Sequence, residues 1–320
     1  MISINEIAQR FNTEEFSGSV LLEENMAAHT TMKVGGNAPL FVTPFNEDSL
    51  VFAVKVFLQN NLPFFVLGGG SNIIVSDKGF TGAVLYLGKI SSISMEEISL
   101  EEYEVPGDRV VYCGAGAGIS SLVNYCTELE LSGLENFAGL PGTVGGAVFM
   151  NARCFETSIS ERLLSVRYIN LYKLEICNYN FCASDWDYKL SPFQKMNSII
   201  LGVKFTLSYG SVKKSIIEEK CKNSISERKE KGHFLKPSAG SVFKNNHSFG
   251  KPSGKIIDEV GLKGFQIGGA QVASWHGNFI VNNGNATASD VKHLVEHCKK
   301  CVLEKTGFTL EEEVIFCGNW

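Results

Sequence analysis

Residues 138–147 read AGLPGTVGGA, a ribbon almost free of large side chains and bounded by apolar residues. Glycine reaches backbone conformations that other residues avoid, and it places no Cβ in the way of a neighbouring group. Such a ribbon is typical of a backbone that closely touches another group. We therefore interpret it as one wall of a binding site.

A second glycine turn lies upstream of this ribbon. Residues 67–72 read LGGGSN, directly after the apolar run 63–66 and before the apolar run 73–75. Three successive glycines let backbone N–H groups converge on an anion. Taken singly, most glycine turns are only tight connections. Together, the two stretches favour a ligand with a pyrophosphate and a flat apolar part, which is a dinucleotide.

Length and composition limit the classes to which this protein can belong. With 320 residues and 44% hydrophobic content, the chain can bury a large core, and its length predicts two or three domains. The formal net charge is -5 and the basic residues are scattered, which disfavours nucleic acid or an anionic membrane surface as a partner. No apolar run approaches the ~20 residues that cross a bilayer, and residues 1–6 lack the pattern of a secretory signal. We expect a cytoplasmic protein without membrane insertion.

The nine cysteines do not read as a disulfide framework. Their number is odd and they are spread through the chain, as is typical of small buried hydrophobic residues. Cys298 and Cys301 form a CxxC motif, but no second CxxC accompanies it and it falls in a helical pattern. The sequence therefore predicts neither a redox pair nor a metal site there.

Apolar periodicity predicts an alternation of strands and helices in the first two thirds of the chain. A helix over residues 48–60 between two strands forms a compact β-α-β unit, and the acidic segment 96–104 is predicted to be a solvated loop. Strands are predicted at residues 40–42, 64–67, 82–87, 110–113, 164–169 and 198–205.

The run GAGAG at residues 114–118 follows a predicted strand and opens a predicted helix, as in a Rossmann fingerprint. Ile119 stands where the third glycine of that fingerprint belongs, and no ribose-binding acid closes a well-formed β-α-β unit. A Rossmann nicotinamide site is therefore disfavoured.

The last third of the chain begins after a predicted domain boundary at Tyr209 and Gly210. A helix over residues 289–305, ended by Gly307, precedes a predicted strand at 313–316. Its predicted buried face comprises Val291, Leu294, Val295, Cys298 and Val302. An earlier polar helix carries Val212, Ile216, Ile217 and Ile225 at helical spacing and ends in Arg228, Lys229 and Lys231. That basic run is either a solvated helix end or part of a binding site.

Several further motifs point to one family when they are taken in chain order. They are HTTMKVGG at 29–36, the turn at 67–72, the ribbon at 139–151 ending in MNA, YKLSPF at 188–193, SAGSVFKN at 238–245, KIID at 255–258, GGA at 268–270 and HGNFIVN at 276–282. From about residue 20 to the end, this series closely resembles the UDP-N-acetylenolpyruvoylglucosamine reductases, flavoenzymes of peptidoglycan precursor synthesis.

The resemblance implies an α+β fold. It consists of a two-lobed FAD-binding domain of the vanillyl-alcohol-oxidase type at residues 1–208, with lobes of about 1–80 and 81–208, and a smaller α+β substrate-binding domain at 209–320. FAD is expected to bind without a covalent link, because Ser71 and Asn72 follow the glycines where covalent relatives of the fold carry a histidine. The implied cofactor-binding residues are Gly68, Gly69, Gly70, Ser71, Asn72, Gly139, Pro141, Gly142, Thr143, Gly145, Gly146, Ala147 and Asn151.

The implied reaction is the reduction of UDP-N-acetylglucosamine enolpyruvate to UDP-N-acetylmuramate by NADPH through FAD. Hydride arriving at the enolpyruvyl C3 places negative charge on the substrate carboxylate, and C2 then needs an acid. Ser241 matches the family's proton donor, and Glu313 matches the glutamate that helps to polarise the enolpyruvyl group. Glu311 and Glu312 are expected to be surface carboxylates, and a one-residue shift of register among the three stays open.

Lys189 marks a departure from the family pattern, which is Tyr-Arg-x-Ser-x-Phe. Lysine keeps the positive charge but not the planar fork that grips a carboxylate with two hydrogen bonds. We predict that Lys189 still stabilises the developing enolate. Arg153 and Arg167 are the alternative cations.

The implied substrate-binding residues are Tyr188, Lys231 and Asn245, with Lys231 facing phosphate. A shift of one turn among Arg228, Lys229 and Lys231 stays open. After Asn151 and Ala152, residues 153–156 depart from the relatives' pattern of small residues and tyrosine, which leaves the local geometry around the flavin open.

The resemblance thus implies an NADPH-dependent flavoenzyme of cell wall biogenesis, cell shape and cell division, with small-molecule partners and a monomer favoured. Two alternatives are a flavin oxidase of the same fold that uses oxygen, and a flavin- or nucleotide-binding module without catalysis. The Ser241 and Glu313 motifs disfavour the oxidase, whereas Lys189 is the feature that favours the module.

Overall fold

The computed structural model describes residues 2–96 and 108–320, so the loop predicted at 96–104 lies, apart from Glu96, outside the described residues. The chain forms two compact units, each built from discontinuous segments. Unit A takes residues from 1–20, 42–69 and 84–227, and unit B takes them from 21–41, 70–83 and 228–320.

The helices and strands have the following bounds. The α-helices are α1 Ile4–Gln9, α2 Glu47–Gln59, α3 Ile119–Glu128, α4 Val144–Phe149, α5 Lys214–Glu230, α6 Ser253–Glu259 and α7 Ala288–Thr306. The strands are β1 Gly18–Asn25, β2 Asn37–Pro44, β3 Phe64–Leu67, β4 Ile73–Val75, β5 Ala83–Tyr86, β6 Ile93–Glu96, β7 Asp108–Gly114, β8 Leu131–Ser132, β9 Arg153–Cys154, β10 Thr157–Ser158, β11 Leu163–Asn170, β12 Glu175–Asn180, β13 Ser198–Tyr209, β14 Ser238–Ser241, β15 Gln266–Ile267, β16 Ala270–Val272, β17 Phe279–Asn282 and β18 Ile315–Cys317. Short 3₁₀ turns lie at Met26–His29, Glu135–Phe137, Ile159–Arg162, Ala183–Asp185, Pro192–Gln194 and His247–Phe249.

Helix α2 confirms the helix predicted at 48–60, one residue earlier at each end. Its N-cap, Asn46, accepts a hydrogen bond from the N–H of Ser49 at 2.8 Å, which satisfies an otherwise unpaired helix donor. Leu50, Val54 and Phe57 are fully buried, as helical spacing predicts. A four-stranded sheet has the order β1-β2-β5-β3, so β5 separates the two strands that flank α2.

The larger sheet of unit A has the order β12-β11-β13-β7-β6, and β8 also pairs with β13. All of these pairings are antiparallel. The 12-residue strand β13 is central, and Leu201, Val203 and Phe205 on one face are fully buried. This alternation agrees with the strand predicted at 198–205.

The GAGAG run at 114–118 serves packing inside unit A. The N–H groups of Val144 and Gly145 donate to the carbonyls of Ala117 and Ala115, both at 2.8 Å. A Cβ on Gly116 would collide with the carbonyl oxygen of Leu87. These glycines therefore allow backbone to lie against backbone, which accounts for the run without a Rossmann site.

In unit B, the antiparallel sheet β14-β17-β16-β15 shares its core with α7. The predicted buried face of α7 is confirmed, because each of its five members is at most 1% exposed. The helix ends at Gly307, whose φ of +75° is in the left-handed region that glycine adopts without strain.

Residues 70–83 contribute strand β4 and the residue that caps helix α7 to unit B. Strand β4 pairs in parallel with β18, so that Ile73 lies opposite Ile315. The Asp77 carboxylate accepts the N–H groups of Ala288 and Ser289 at 2.7 and 2.8 Å, and thus caps α7. The predicted strand at 313–316 was placed too early: β18 begins at Ile315 because the N–H of Glu313 is bonded to Val242 instead.

Helix α5 differs in part from its prediction. Val212 precedes the helix, Ile216 is 43% exposed, and Ile217 is buried. Arg228 is buried, so the basic run is not simply a solvated helix end. The chain passes from unit A to unit B after residue 227, inside α5.

Cys298 and Cys301 lie on α7, as predicted, and every cysteine of the chain is a free thiol. Among the described residues, no group of three or more His, Cys, Asp and Glu side chains is arranged to hold a metal ion. In the same part of the chain, none of the helices has both the length and the apolarity needed to cross a membrane.

Candidate functional site

The two glycine stretches meet in unit A. A Cβ on Gly69 would lie 2.6 Å from the Cα of Gly142, and a Cβ on Gly68 would collide with the Thr143 hydroxyl oxygen. Gly68 and Gly69 are therefore needed because the turn lies directly against the ribbon. The two stretches form one continuous backbone surface.

The ribbon is held in one conformation by its surroundings. Gly139 and Gly142 have φ values of +77° and +108°, which glycine adopts without strain. The carbonyl of Gly142 accepts the N–H of Ile119 at 3.1 Å, and the Thr143 side chain caps α4. A Cβ on Gly145 would lie 2.8 Å from that of Ala115, so protein packing alone accounts for this glycine.

Unit A also holds polar groups that a bound molecule can satisfy. Within the described part of the chain, the N–H groups of Gly68 and Gly69 donate to no protein acceptor. The Oδ1 atom of Asn151 is buried without a partner, although its Nδ2 donates to the Asp187 carbonyl at 2.8 Å. Buried polar groups are normally paired. FAD offers both an anion and hydrogen-bond donors, so these residues fit it.

The Asn151 side chain links the ribbon to the turn that carries Tyr188 and Lys189. Asp187 and Leu190 pair across this turn, and Lys189 has a φ of +56°, an uncommon conformation for a non-glycine residue. The carbonyl of Lys189 accepts the side-chain amide of Gln194 at 2.9 Å.

The remaining motif residues anchor this turn. The Ser191 hydroxyl donates to the Phe149 carbonyl at 2.7 Å, and both Ser191 and Phe193 are almost fully buried. The serine and phenylalanine of the YKLSPF motif thus fix the turn that presents Lys189.

The two alternative cations already have carboxylate partners in unit A. Arg153 pairs with Glu156 at 3.0 Å, and Arg167 pairs closely with Glu47. Both guanidinium groups are therefore held in ion pairs, and the assignment of Lys189 to the substrate carboxylate stays a prediction.

In unit B, Ser241 and Glu313 lie on neighbouring segments. Ser241 ends β14 opposite Phe279, and the carbonyl of Val242, the next residue, accepts the N–H of Glu313 at 2.7 Å. The carbonyl of Glu313 accepts the side-chain amide of Asn72 at 3.0 Å. Its backbone is therefore held from both sides.

The sequence left open which of Glu311, Glu312 and Glu313 is the functional carboxylate. Glu311 forms an ion pair with Lys244 at 2.5 Å, and Glu312 forms one with Lys299 at 2.7 Å. Both of these carboxylates therefore form ion pairs, and the assignment of Glu313 as the functional carboxylate stays a prediction.

Lys231 follows α5 and is exposed. Burial, together with the charges of Lys231 and Lys263, lowers the pKa of the His276 imidazole. The ring of Trp275 lies against Gly232. The structure therefore places His276 and Trp275 beside the predicted phosphate-binding lysine, although the sequence assigned them no role.

Asn245 has a structural contact of its own. Its Oδ1 accepts the N–H of Ser253 at 2.9 Å, where α6 begins, and the Ser253 hydroxyl donates to the Lys244 carbonyl at 2.6 Å. These bonds connect the end of the SAGSVFKN motif to α6.

Comparison with known proteins gives the family. Residues 232–317 match a family model described as UDP-N-acetylenolpyruvoylglucosamine reductase, C-terminal domain, and residues 38–171 match one described as FAD binding domain. The UDP-N-acetylenolpyruvoylglucosamine reductase of Treponema denticola is 47% identical over 321 residues, which cover 97% of each chain. The chain belongs to the UDP-N-acetylenolpyruvoylglucosamine reductase family. That of Borrelia garinii subsp. bavariensis is 43% identical over 92% of each chain.

The solved structures agree with this family. The reductase of Thermus caldophilus superposes with a TM-score of 0.74 at 31% identity, over 94% of this chain and 99% of that one. The predicted family and the predicted α+β fold class with an FAD-binding domain are therefore confirmed, as is FAD as the cofactor.

Proposed function

We propose that this protein reduces UDP-N-acetylglucosamine enolpyruvate to UDP-N-acetylmuramate with NADPH as donor, a step of peptidoglycan precursor synthesis. The main support is the 47% sequence identity of this chain to the UDP-N-acetylenolpyruvoylglucosamine reductase of Treponema denticola, along 97% of the chain. The adjacency of the Ser241 and Glu313 segments supports it independently.

FAD, when bound, supplies the hydride that it has taken from NADPH. Gly68, Gly69 and Asn151 are proposed to hold it, through unpaired backbone N–H groups and a buried unpaired oxygen. The other predicted cofactor residues belong to the same two stretches and are proposed to line the FAD site.

Ser241 is proposed to donate the proton to C2 of the substrate. A serine hydroxyl is a weak acid, so it transfers a proton only to a strongly basic carbon at hydrogen-bond distance. Its place at the end of β14 gives it a fixed backbone from which to do so. Glu313, fixed by Val242 and Asn72, is proposed to polarise the enolpyruvyl group.

Lys189 is proposed to stabilise the charge that develops on the substrate carboxylate. A lysine ammonium does this as a point charge, without the bidentate geometry of arginine. Its fixed turn compensates in part, because a positioned charge needs no reorganisation during the reaction. Tyr188, Lys231 and Asn245 are proposed to bind the UDP-sugar, with Lys231 on its phosphates.

The organisation of the enzyme is part of the proposal. We assign cofactor binding to residues 1–208 and substrate binding to residues 209–320. The protein is proposed to work as a monomer in the cytoplasm and to serve cell wall biogenesis, cell shape and cell division. Light scattering on the purified protein tests the monomer.

An anaerobic half-reaction experiment tests the function. The purified protein with FAD is reduced by NADPH, and the return of the 450 nm flavin absorbance is then followed after the enolpyruvyl sugar is added. We expect rapid reoxidation by the sugar. In a parallel sample, air-saturated buffer replaces the sugar. Reoxidation by dioxygen but not by the sugar would show an oxidase, and no reduction by NADPH would show a binding module; either result refutes the proposal.

A serine pair sharpens this test. Ser241→Ala is expected to slow reoxidation by the sugar by about 10²- to 10⁴-fold while reduction by NADPH is retained. Ser238→Ala is the matched control, since its hydroxyl lies on the same strand and accepts the Gly240 N–H at 3.5 Å. Equal rates for the two variants would remove Ser241 from the mechanism.

A further inference from the structure

Asn278 is buried beside the strand that carries Ser241, and only 4% of it is exposed. Its side chain makes two hydrogen bonds to the backbone of one residue, Phe243. Oδ1 accepts the N–H of Phe243 at 2.9 Å, and Nδ2 donates to the Phe243 carbonyl at 2.8 Å. Its own carbonyl accepts the N–H of Val242 at 2.9 Å.

These bonds extend the sheet beyond its last regular pair. The regular pairing of β14 with β17 ends where Ser241 lies opposite Phe279. At residues 276–278 the chain turns, and the N–H of Asn278 donates to Nδ1 of His276 at 3.2 Å. The carboxamide of Asn278 therefore takes the place of the missing peptide partner of Phe243.

The opposite edge of the same segment carries Glu313. The carbonyl of Val242 accepts the N–H groups of Glu313 and Val314 at 2.7 and 3.4 Å, and Phe243 pairs with Glu312. Residues 242–243 are therefore hydrogen-bonded on both sides, by Asn278 on one side and by the Glu313 segment on the other.

Only asparagine satisfies this position fully. The N–H and the carbonyl of Phe243 need one acceptor and one donor, and the carboxamide supplies both. Aspartate keeps the acceptor but turns a second acceptor oxygen toward the Phe243 carbonyl. Alanine leaves a buried N–H and a buried carbonyl unpaired.

We propose that Asn278 is a positioning residue that sets the spacing between the Ser241 hydroxyl and the Glu313 carboxylate. The inference rests on the proposed function, in which both groups act on the enolpyruvyl sugar. Because a displacement of about 1 Å can cost about 100-fold in rate, loss of Asn278 slows the sugar-dependent half-reaction. Reduction by NADPH does not use these two groups and is retained.

The test compares Asn278→Ala and Asn278→Asp with Asn282→Ala in the holoenzyme. Asn282 is a matched control, because it is also buried at the end of β17 and its amide also bridges backbone groups, namely the Met32 carbonyl and the Gly284 N–H. We expect sugar-dependent reoxidation per bound flavin to fall about 100-fold in Asn278→Ala, with NADPH reduction within about twofold of wild type. Asn282→Ala is expected to melt earlier but to keep both rates.

Amide hydrogen exchange supplies a readout that does not depend on activity. In the wild-type holoenzyme, the N–H groups of Phe243, Glu313 and Val314 are expected to exchange in one shared opening event. In Asn278→Asp, that opening is expected to be at least tenfold more frequent.

The outcomes separate the two proposals. If wild type is not reoxidised by the sugar, the proposed function fails, and the exchange data still judge the role of Asn278. If wild type is active, the inference is overturned by an unselective loss of both half-reactions, by the same selective loss in Asn282→Ala, or by independent exchange of Phe243 and Glu313. The exchange measurement decides the question even if both Asn278 variants fail to fold.

Discussion

Gly69→Ala tests whether the glycine turn and the ribbon form one surface. The added Cβ would lie 2.6 Å from the Cα of Gly142, 3.1 Å from its carbonyl carbon and 3.3 Å from the Thr143 nitrogen. Carbon atoms normally approach to about 3.5–4.0 Å. All three neighbours are backbone atoms, so the turn or the ribbon has to move by about 1 Å.

The expected cost follows from that displacement. Forcing an extra methyl group into a packed site costs about 1–3 kcal/mol. In a domain of 150–250 residues, each kcal/mol lowers the melting temperature by about 2–4 °C. Because the moved backbone carries the N–H groups proposed to hold FAD, the affinity for FAD is also expected to fall by about tenfold or more, the equivalent of about 1.4 kcal/mol.

The assay is thermal unfolding over a series of FAD concentrations. Ligand stabilisation grows with the ratio of ligand concentration to Kd, so the series yields stability and affinity separately. Gly118→Ala is the control, since the nearest atom to its Cβ would be the Ser121 Oγ at 3.6 Å, an ordinary contact. Because Gly118 is the N-cap of α3, where alanine is less favourable than glycine, we expect the control to lose less than about 1 kcal/mol and to keep the wild-type dependence on FAD. If Gly69→Ala matches the control in both melting temperature and FAD dependence, the two stretches do not form one surface.

Three further predictions concern other parts of the chain. Asp77→Ala removes the carboxylate that caps α7 at Ala288 and Ser289, and is expected to lower the free energy of unfolding by about 1–2 kcal/mol in urea titrations; an unchanged midpoint would contradict the cap. Lys189→Ala is expected to slow sugar-dependent flavin reoxidation at least tenfold, and Lys189→Arg is expected to retain it, as measured by stopped flow. Equal reoxidation rates in the two variants would exclude a role for the positive charge at this position. Burial and the nearby charge of Lys231 lower the pKa of the His276 imidazole in the folded protein. The unfolded chain therefore binds this proton at a higher pH than the folded protein does, and the free energy of unfolding should fall as pH drops below about 6.5. His276→Asn should lessen that fall, and an identical pH dependence of urea midpoints would contradict this reasoning.

Local patterns were enough to predict much of the fold. Helical spacing identified the buried face of α7, and a strand-like apolar segment identified β13, because both signals are set by the residues themselves. The two glycine stretches were recognised as one site for the same reason, since only glycine permits the contact between Gly69 and Gly142.

Long-range pairing is what the sequence alone did not show. Nothing near residue 73 indicates that β4 pairs with residues 315–317, and nothing near residue 227 indicates the passage between units inside α5. The HGNFIVN motif marked residues 276–282 as important, but not that the side chain of Asn278 replaces a peptide group. Such roles depend on which distant backbone group is left without a partner.

The parallel pairing of β4 with β18 bears on how the protein is made. About 240 residues separate Ile73 from Ile315, so β4 emerges from the ribosome long before its partner strand β18 is synthesised. Throughout that interval β4 has an unpaired edge, which is open to other extended chains. Nascent chains that are stalled before residue 315 should therefore aggregate readily and depend on chaperones. In unit A, by contrast, β7 and β13 can pair once residue 209 has left the exit tunnel.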